Sequence, residues 1–273
     1  MINEKKEKIV ITLGFFLILI VILITLFRSN LFENKDSSND LNLSGQSYSK
    51  PDYPTINVKD LNKKMLLSKE DTPLVLLDVR SFDSYAREHI VDSINITPDE
   101  FPLNSKIDLH KQVIVIGAEE NDENIKKTVD ELKKENFKDY LVLLGGMLLW
   151  KQTGGTTVTY GDPTSFVDQS KVYYVEPEKL NEALKQNVPM FIIDVRTAEE
   201  YSKGHIPGAI NIPSDDLEKR RREIKEKRVV VVGISELHEF QSSVKMYDML
   251  LVSPFVLKGA MPKWEEKGYP ITK

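Results

Sequence analysis

The chain has 273 residues, 41% of them hydrophobic and 29% charged, which fits folded globular matter and leaves room for two domains of ordinary size. Its 37 basic and 42 acidic residues give a formal net charge of −5, so the balance offers no electrostatic footprint for nucleic acid. The absence of cysteine excludes disulfides, thiolate nucleophiles and cysteine-ligated metals together.

Residues 1–8 read as a short cytoplasmic N-terminus carrying Lys5, Lys6 and Lys8. Residues 9–27, opening on Ile9 and closing on Phe27, carry no charge and are built mostly from Ile, Leu, Val and Phe. A helix of about 19 residues spans roughly 28 Å, close to the hydrocarbon core of a bilayer. The run lacks the small-residue cleavage site of a secretory signal and therefore predicts an uncleaved membrane anchor. Three lysines before it, against Arg28 and then Lys35 after it, predict a cytoplasmic N-terminus and an extracytoplasmic remainder. Residues 28–53, rich in Ser, Asn and Asp, read as a flexible stalk.

Two copies of one pattern follow, predicted as domains over residues 54–152 and 171–273 with a linker at 153–170. In the first copy, Leu61 and Met65 stand at helical spacing, and residues 74–79 form a short continuous apolar run. Such runs mark strands buried on both faces. Phe82–Arg87 predicts a short helix, residues 93–96 and 113–116 further strands, and Ile125, Val129 and Leu132 the inner stripe of an amphipathic helix. Residues 140–144 predict a strand, followed by Gly145, Gly146 and a closing helix with Trp150.

The second copy repeats this order. A helix opens at Pro177, residues 190–195 and Val229–Val232 predict buried strands, and Val244, Tyr247 and Leu251 mark the next helix. Gly259 and Trp264 stand where Gly145 and Trp150 stand in the first copy. Alternating strands and helices predict an α/β fold, each copy a small parallel sheet flanked by helices.

The second copy reads Asp194-Val195-Arg196, Glu200-Tyr201, then Gly204-His205-Ile206-Pro207-Gly208-Ala209-Ile210-Asn211-Ile212-Pro213. The first reads Asp78-Val79-Arg80, Tyr85 and His89-Ile90-Val91-Asp92-Ser93-Ile94-Asn95-Ile96. Both resemble the signature of rhodanese domains, as do the glycine-to-tryptophan endings. The resemblance implies a tandem sulfurtransferase-like fold. It also implies a loop reading Cys-x-x-Gly-x-Arg after the second buried strand, whose cysteine carries a persulfide and whose backbone N–H groups cradle an anion.

Both copies depart from that loop. Gly117 and Gly233 stand at the nucleophile positions, Glu120 and Glu236 at the glycine, and Asp122 and His238 at the arginine. Glu119, Glu120, Asp122 and Glu123 make the first loop acidic, which repels thiosulfate or phosphate. Catalytic residues are therefore expected to be absent. The candidate binding loops are Gly117, Glu119, Glu120 and Asp122, and Gly233, Ser235, Glu236 and His238, with the two glycines expected to leave a small open pocket.

Ser235 is expected to bond backbone rather than to attack. His89 and His205 are expected to be structural, and the spacing of the four histidines offers no metal pair. No cofactor is expected. Lys219-Arg220-Arg221-Arg222, interleaved with Glu218, Glu223 and Glu226, reads as a solvated helix face. The function expected is a catalytically inactive, membrane-anchored binding or scaffold module with the bilayer and an envelope protein as partners. The alternative is a sulfurtransferase-family enzyme, or an accessory subunit of sulfur transfer that uses a partner's thiol.

Overall fold

The apolar runs form the middle of two equivalent sheets in the computed structural model, which describes residues 51–67, 74–103, 107 and 110–273. The anchor predicted at 9–27 and nearly all of the predicted stalk lie outside the described residues. Among the described residues, no helix is long and apolar enough to cross a membrane.

The first sheet takes β1 (Thr55–Ile56), β2 (Leu74–Asp78), β4 (Ser93–Asn95), β5 (Gln112–Ile116) and β6 (Tyr140–Leu143), β3 (His89–Ile90) lying outside it. Its order is β1-β6-β5-β2-β4 and every pairing is parallel. The second sheet takes β8 (Tyr173–Val175), β9 (Phe191–Asp194), β10 (Ile210–Asn211), β11 (Val229–Val232) and β12 (Phe255–Leu257). Read as β8-β12-β11-β9-β10, it repeats the first order, again wholly parallel. The duplication in the sequence is thus a duplication of topology.

The central strands are apolar on successive residues because both faces are covered. In β5, Val113 and Val115 pack with Ile125, Val129 and Leu132 on one face. Ile114 and Ile116 pack with Leu61, Met147 and Trp150 on the other. In β11, Val230 and Val232 face Leu180, Met261 and Trp264, while Val229 and Val231 face Leu217, Ile224 and Met246.

The covering helices of the first half are α1 (Val58–Leu67), α2 (Phe82–Arg87), α3 (Glu123–Lys134) and α4 (Gly146–Gln152). After α5 (Phe166–Gln169), the second half has α6 (Pro177–Lys185), α7 (Ala198–Lys203), α8 (Leu217–Arg220), α9 (Glu236–Leu250) and α10 (Ala260–Glu266). Pro177 sits in the first turn of α6, where a missing N–H costs nothing. Leu251, expected in the helical stripe, instead caps α9 in the left-handed conformation and is 78% exposed.

The stretch read as a linker carries structure of its own. Its β7 (Thr157–Val158) pairs antiparallel with β3, matching His89 to Val158. Tyr160 N–H then donates to Ala86 O, while Thr159 N–H and its hydroxyl donate to Asp248 of α9. The connection is therefore wedged between the two halves rather than strung across them. Residues Pro51–Lys273 form one compact unit.

The basic run keeps its expected pairing at Arg220, which meets the exposed Glu223, but not at Glu218. Glu218 does not pair with the arginines on a solvated face; it is 9% exposed and reaches the first half. Its Oε1 lies 3.3 Å from His89 Nε2 and 3.3 Å from Lys245 Nζ, and its Oε2 accepts from Asp92 N–H at 2.7 Å. Arg221 closes the contact with an ion pair to Asp92 at 2.6 Å. A seam of this kind has no periodicity along the chain, because its members lie 126 to 129 positions apart.

Candidate functional site

The signature residues turn out to be scaffold. Asp78, fully buried at the end of β2, takes Arg80 in a forked pair, and the same guanidinium donates to Glu88 O at 2.7 Å. Asp194 and Arg196 repeat this, with Gly204 O as the third partner at 2.7 Å. Asn95 Nδ2 donates to the carbonyls of Asp78 and Arg80, and Asn211 Nδ2 to those of Asp194 and Arg196. Tyr85 and Tyr201 stack on His89 and His205 with ring centroids 3.8 and 3.7 Å apart. Their hydroxyls donate to Ser93 O and Ala209 O. Both motif histidines are structural, and each is held at Nδ1 by the carbonyl of its own tyrosine. These hydrogen bonds define one backbone path in each copy, and none of them involves a cysteine.

That path delivers the chain to the carboxyl ends of β5 and β11, where Gly117 and Gly233 sit, both buried. Each is pinned from behind by the glycine-led closing helix: Met147 N–H donates to Gly117 O and Met261 N–H to Gly233 O. Gly146 must lack a side chain there, because a Cβ would lie 2.5 Å from Gly117 O.

Neither nucleophile position opens the expected pocket. A Cβ at Gly117 would stand 2.7 Å from Ile125 and 3.0 Å from Asp122 Oδ2. A Cβ at Gly233 would stand 2.7 Å from Glu239 Cγ and 3.0 Å from His238 Nδ1. A side chain at either glycine would have to displace a neighbour, Ile125 in the first copy and Glu239 in the second.

Several N–H groups of the two loops are bonded by carboxylates of the chain itself. In the first copy, Asp122 turns inward: Oδ2 accepts from Ala118 N–H at 2.8 Å and Oδ1 from Asn124 N–H at 2.9 Å, capping α3. Glu119 stays exposed and Glu120 half-buried, so the acidity predicted for this loop is divided. Asp122 takes two N–H groups of the loop, while Glu119 and Glu123 are exposed.

The second copy differs in its backbone. Glu236 and His238, read as loop residues, belong to the first turn of α9, with Ser235 as its N-cap accepting from His238 N–H. The hydroxyl bonds backbone, as its residue type predicts. Glu236 accepts from Gly259 N–H at 2.7 Å. Winding these residues into the helix shortens the loop to Ile234 between Gly233 and the cap.

Glu239 was not anticipated from the sequence. It is fully buried, its Oε1 accepts from Gly233 N–H at 2.7 Å, and its Oε2 has no partner. Burial raises its pKa well above the ordinary carboxylate value; the Gly233 N–H opposes this, and the Glu236 and Asp194 charges add to it. Burial therefore favours the protonated form of Glu239. The available signal was its place on the inner stripe with Ser243 and Met246, where a charged residue has no apolar reason to stand. His238 is pushed down, by burial first, against the opposing pull of Glu200, Asp215 and Asp194. Among the described residues, no group of three or more His, Asp or Glu side chains is placed to hold a metal.

With this geometry, the sequence comparisons have a structural meaning. The rhodanese-like domain family matches residues 59–153 and 176–267. The chain belongs to the rhodanese-like domain family, with a doubled domain that lacks the family's cysteine in both copies. It is 43% identical over 60 residues to the putative sulfur carrier protein YrkF of Bacillus subtilis, covering 20% of this chain and 32% of that protein. It is 26% identical over 98 residues to a sulfurtransferase of Allochromatium vinosum, covering 36% of this chain and 92% of that one. It is 31% identical over 87 residues to YibN of Escherichia coli, covering 31% of this chain and 59% of YibN. The chain thus spans about a third of YrkF and about three fifths of YibN. Among solved structures, the thiosulfate sulfurtransferase of Pseudomonas aeruginosa matches with a TM-score of 0.42 and 19% identity, covering 80% of this chain and 43% of that one.

Proposed function

We propose that this protein is a rhodanese-like binding module that works without sulfur transfer, held on a membrane by residues 9–27 with both domains on the extracytoplasmic side. One observation carries the reading: in each copy a carboxyl group of the chain occupies the backbone N–H group and the space that an anion and a sulfur need. Losing a nucleophile removes covalent catalysis, and filling the cradle removes electrostatic stabilisation of the reacting anion as well. The loop edge at the carboxyl ends of the strands is then free to serve as a contact surface for an envelope protein. Ile234 and Leu237 are each about half exposed there.

Thiosulfate:cyanide transfer by the full-length chain in mild detergent is expected to equal the buffer rate. The Gly233→Cys variant is expected to remain inactive too, because its Cβ meets Glu239 and the cradle stays filled. Overpacking of this kind costs roughly 1–3 kcal/mol of stability. Turnover by the unmodified chain would sink the proposal.

The names of the relatives favour one rival, sulfur handling with a partner's thiol. That role needs an accessible cradle, and cyanide-dependent turnover on adding a thiol-bearing partner would support it. The topology has its own test. Protease added to intact cells is expected to remove the domains, and full protection of the C-terminal portion would overturn the extracytoplasmic placement.

A further inference from the structure

Between the two domains lies a cleft of about 580 Å³ that neither glycine lines. Phe82, Ile94 and Asn95 line it from the first domain, Tyr160 from the connection, and Asp215 and Lys219 from the second. Its volume is within the range of small-molecule sites, which favour domain interfaces.

The charges along its wall sort into two kinds. Glu218 and Lys245, also in the lining, neutralise each other at 3.3 Å, and Lys245 covers one face of the Tyr160 ring at 4.5 Å. Asp92 is held by Arg221, and Glu100 accepts from Thr97 N–H in a capping box. Asp215 and Lys219 make no ion pair or side-chain hydrogen bond among the described residues. They stand four positions apart on the short helical stretch that ends in α8. Opposite charges at that spacing ordinarily meet. Here one carboxylate and one ammonium face a common cavity without neutralising each other. Phe82, in the same lining, is 59% exposed, its ring 5.9 Å from that of Tyr160. An exposed aromatic ring beside two uncommitted opposite charges is complementary to a molecule with an ammonium, a carboxylate and an apolar group on one small frame.

We propose that the interdomain cleft binds a zwitterionic α-amino acid with an apolar side chain, its ammonium at Asp215, its carboxylate at Lys219 and its side chain against Phe82. The site depends on the packing of the two domains, because neither half alone supplies both the ring and the charges. It is independent of the lost sulfur chemistry, since neither Gly117 nor Gly233 lines it.

Calorimetric titration of the full-length chain in mild detergent with phenylalanine, phenethylammonium and 3-phenylpropanoate tests the assignment. Phenylalanine is expected to bind, and each analogue, lacking one charge, to bind at least about tenfold more weakly, the scale of one lost charge-assisted contact. Asp215→Asn and Lys219→Gln are each expected to weaken phenylalanine binding by about fivefold or more. Both side chains are exposed, so melting temperatures should stay unchanged and a loss of binding cannot be ascribed to misfolding. No heat from phenylalanine up to about 10 mM, where binding free energy is already under about 3 kcal/mol, would overturn the proposal. So would equal affinity for either single-charge analogue, or affinity unchanged in both variants. The sulfur-transfer assay is read on the same preparation and does not depend on this outcome.

Discussion

Replacing Glu218 with alanine is expected to lower the melting temperature by roughly 6–12 °C. Removing one member of a buried ionic network costs about 3–5 kcal/mol, because the partners stay buried and uncompensated. Two of the contacts here are long, at 3.3 Å to His89 and to Lys245, which argues for the lower figure. A loss of about 3 kcal/mol moves the midpoint by roughly 2–4 °C per kcal/mol in a domain pair of this size. The Asp92 N–H loses its acceptor as well.

The pH dependence fixes the interpretation. The Glu218 pKa is lowered although burial, the largest influence, pushes it up; the His89 hydrogen bond, the Lys245 charge and the Asp92 N–H together outweigh that burial. A folded-state value below the unfolded one means that the unfolded chain binds more protons. The stabilisation is therefore complete above the ordinary carboxylate value of about 4.5 and is lost as pH falls through the lower folded value. Calorimetric melting at a series of pH values should show the gap between unmodified chain and variant narrowing under acid. A Glu218→Ala midpoint within about 2 °C of the unmodified chain at pH 7, less than 1 kcal/mol, would remove the seam from the account of how the domains are joined.

Glu239→Gln is expected to act with the opposite sign. The folded-state pKa of Glu239 lies above the unfolded one, mainly through burial, so between the two values the native chain holds a proton the unfolded chain has released. Stability contributed at low pH then declines as pH rises from the ordinary carboxylate value toward the folded one. Glutamine keeps a carbonyl for the Gly233 N–H and has nothing to ionise. The variant should melt close to the unmodified chain at pH 4 and gain on it as pH rises above the ordinary carboxylate value. A pH-independent difference between the two would mean that Glu239 is ionised in the folded protein. Measured together, the two carboxylates separate a charge that joins the domains from an acid that plugs a cradle.

Much of the architecture was legible because it rests on local pattern. Val229–Val232 can only be a strand covered on both sides, and Ile125, Val129 and Leu132 can only face a core along one stripe. Ser235 was legible as a backbone partner from its residue type. The second loop was not legible as a loop or a helix. Whether Glu236 and His238 wind into α9 depends on whether Ser235 can cap it and Glu236 can reach Gly259, 23 positions away.

The chain by itself determined the duplication, the order of strands and helices, and the loss of the nucleophile, because periodicity and residue identity are carried in consecutive positions. Only the tertiary structure decided what filled the vacated places. Ile125 and Asp122 close one site, and Glu239 and His238 the other, through contacts whose distances no spacing along the chain encodes. It also made the connection a strand and turned Glu218 from one acid in a basic run into the seam between two domains. A buried charge is stable only where partners converge on it, and that convergence is a property of the folded chain.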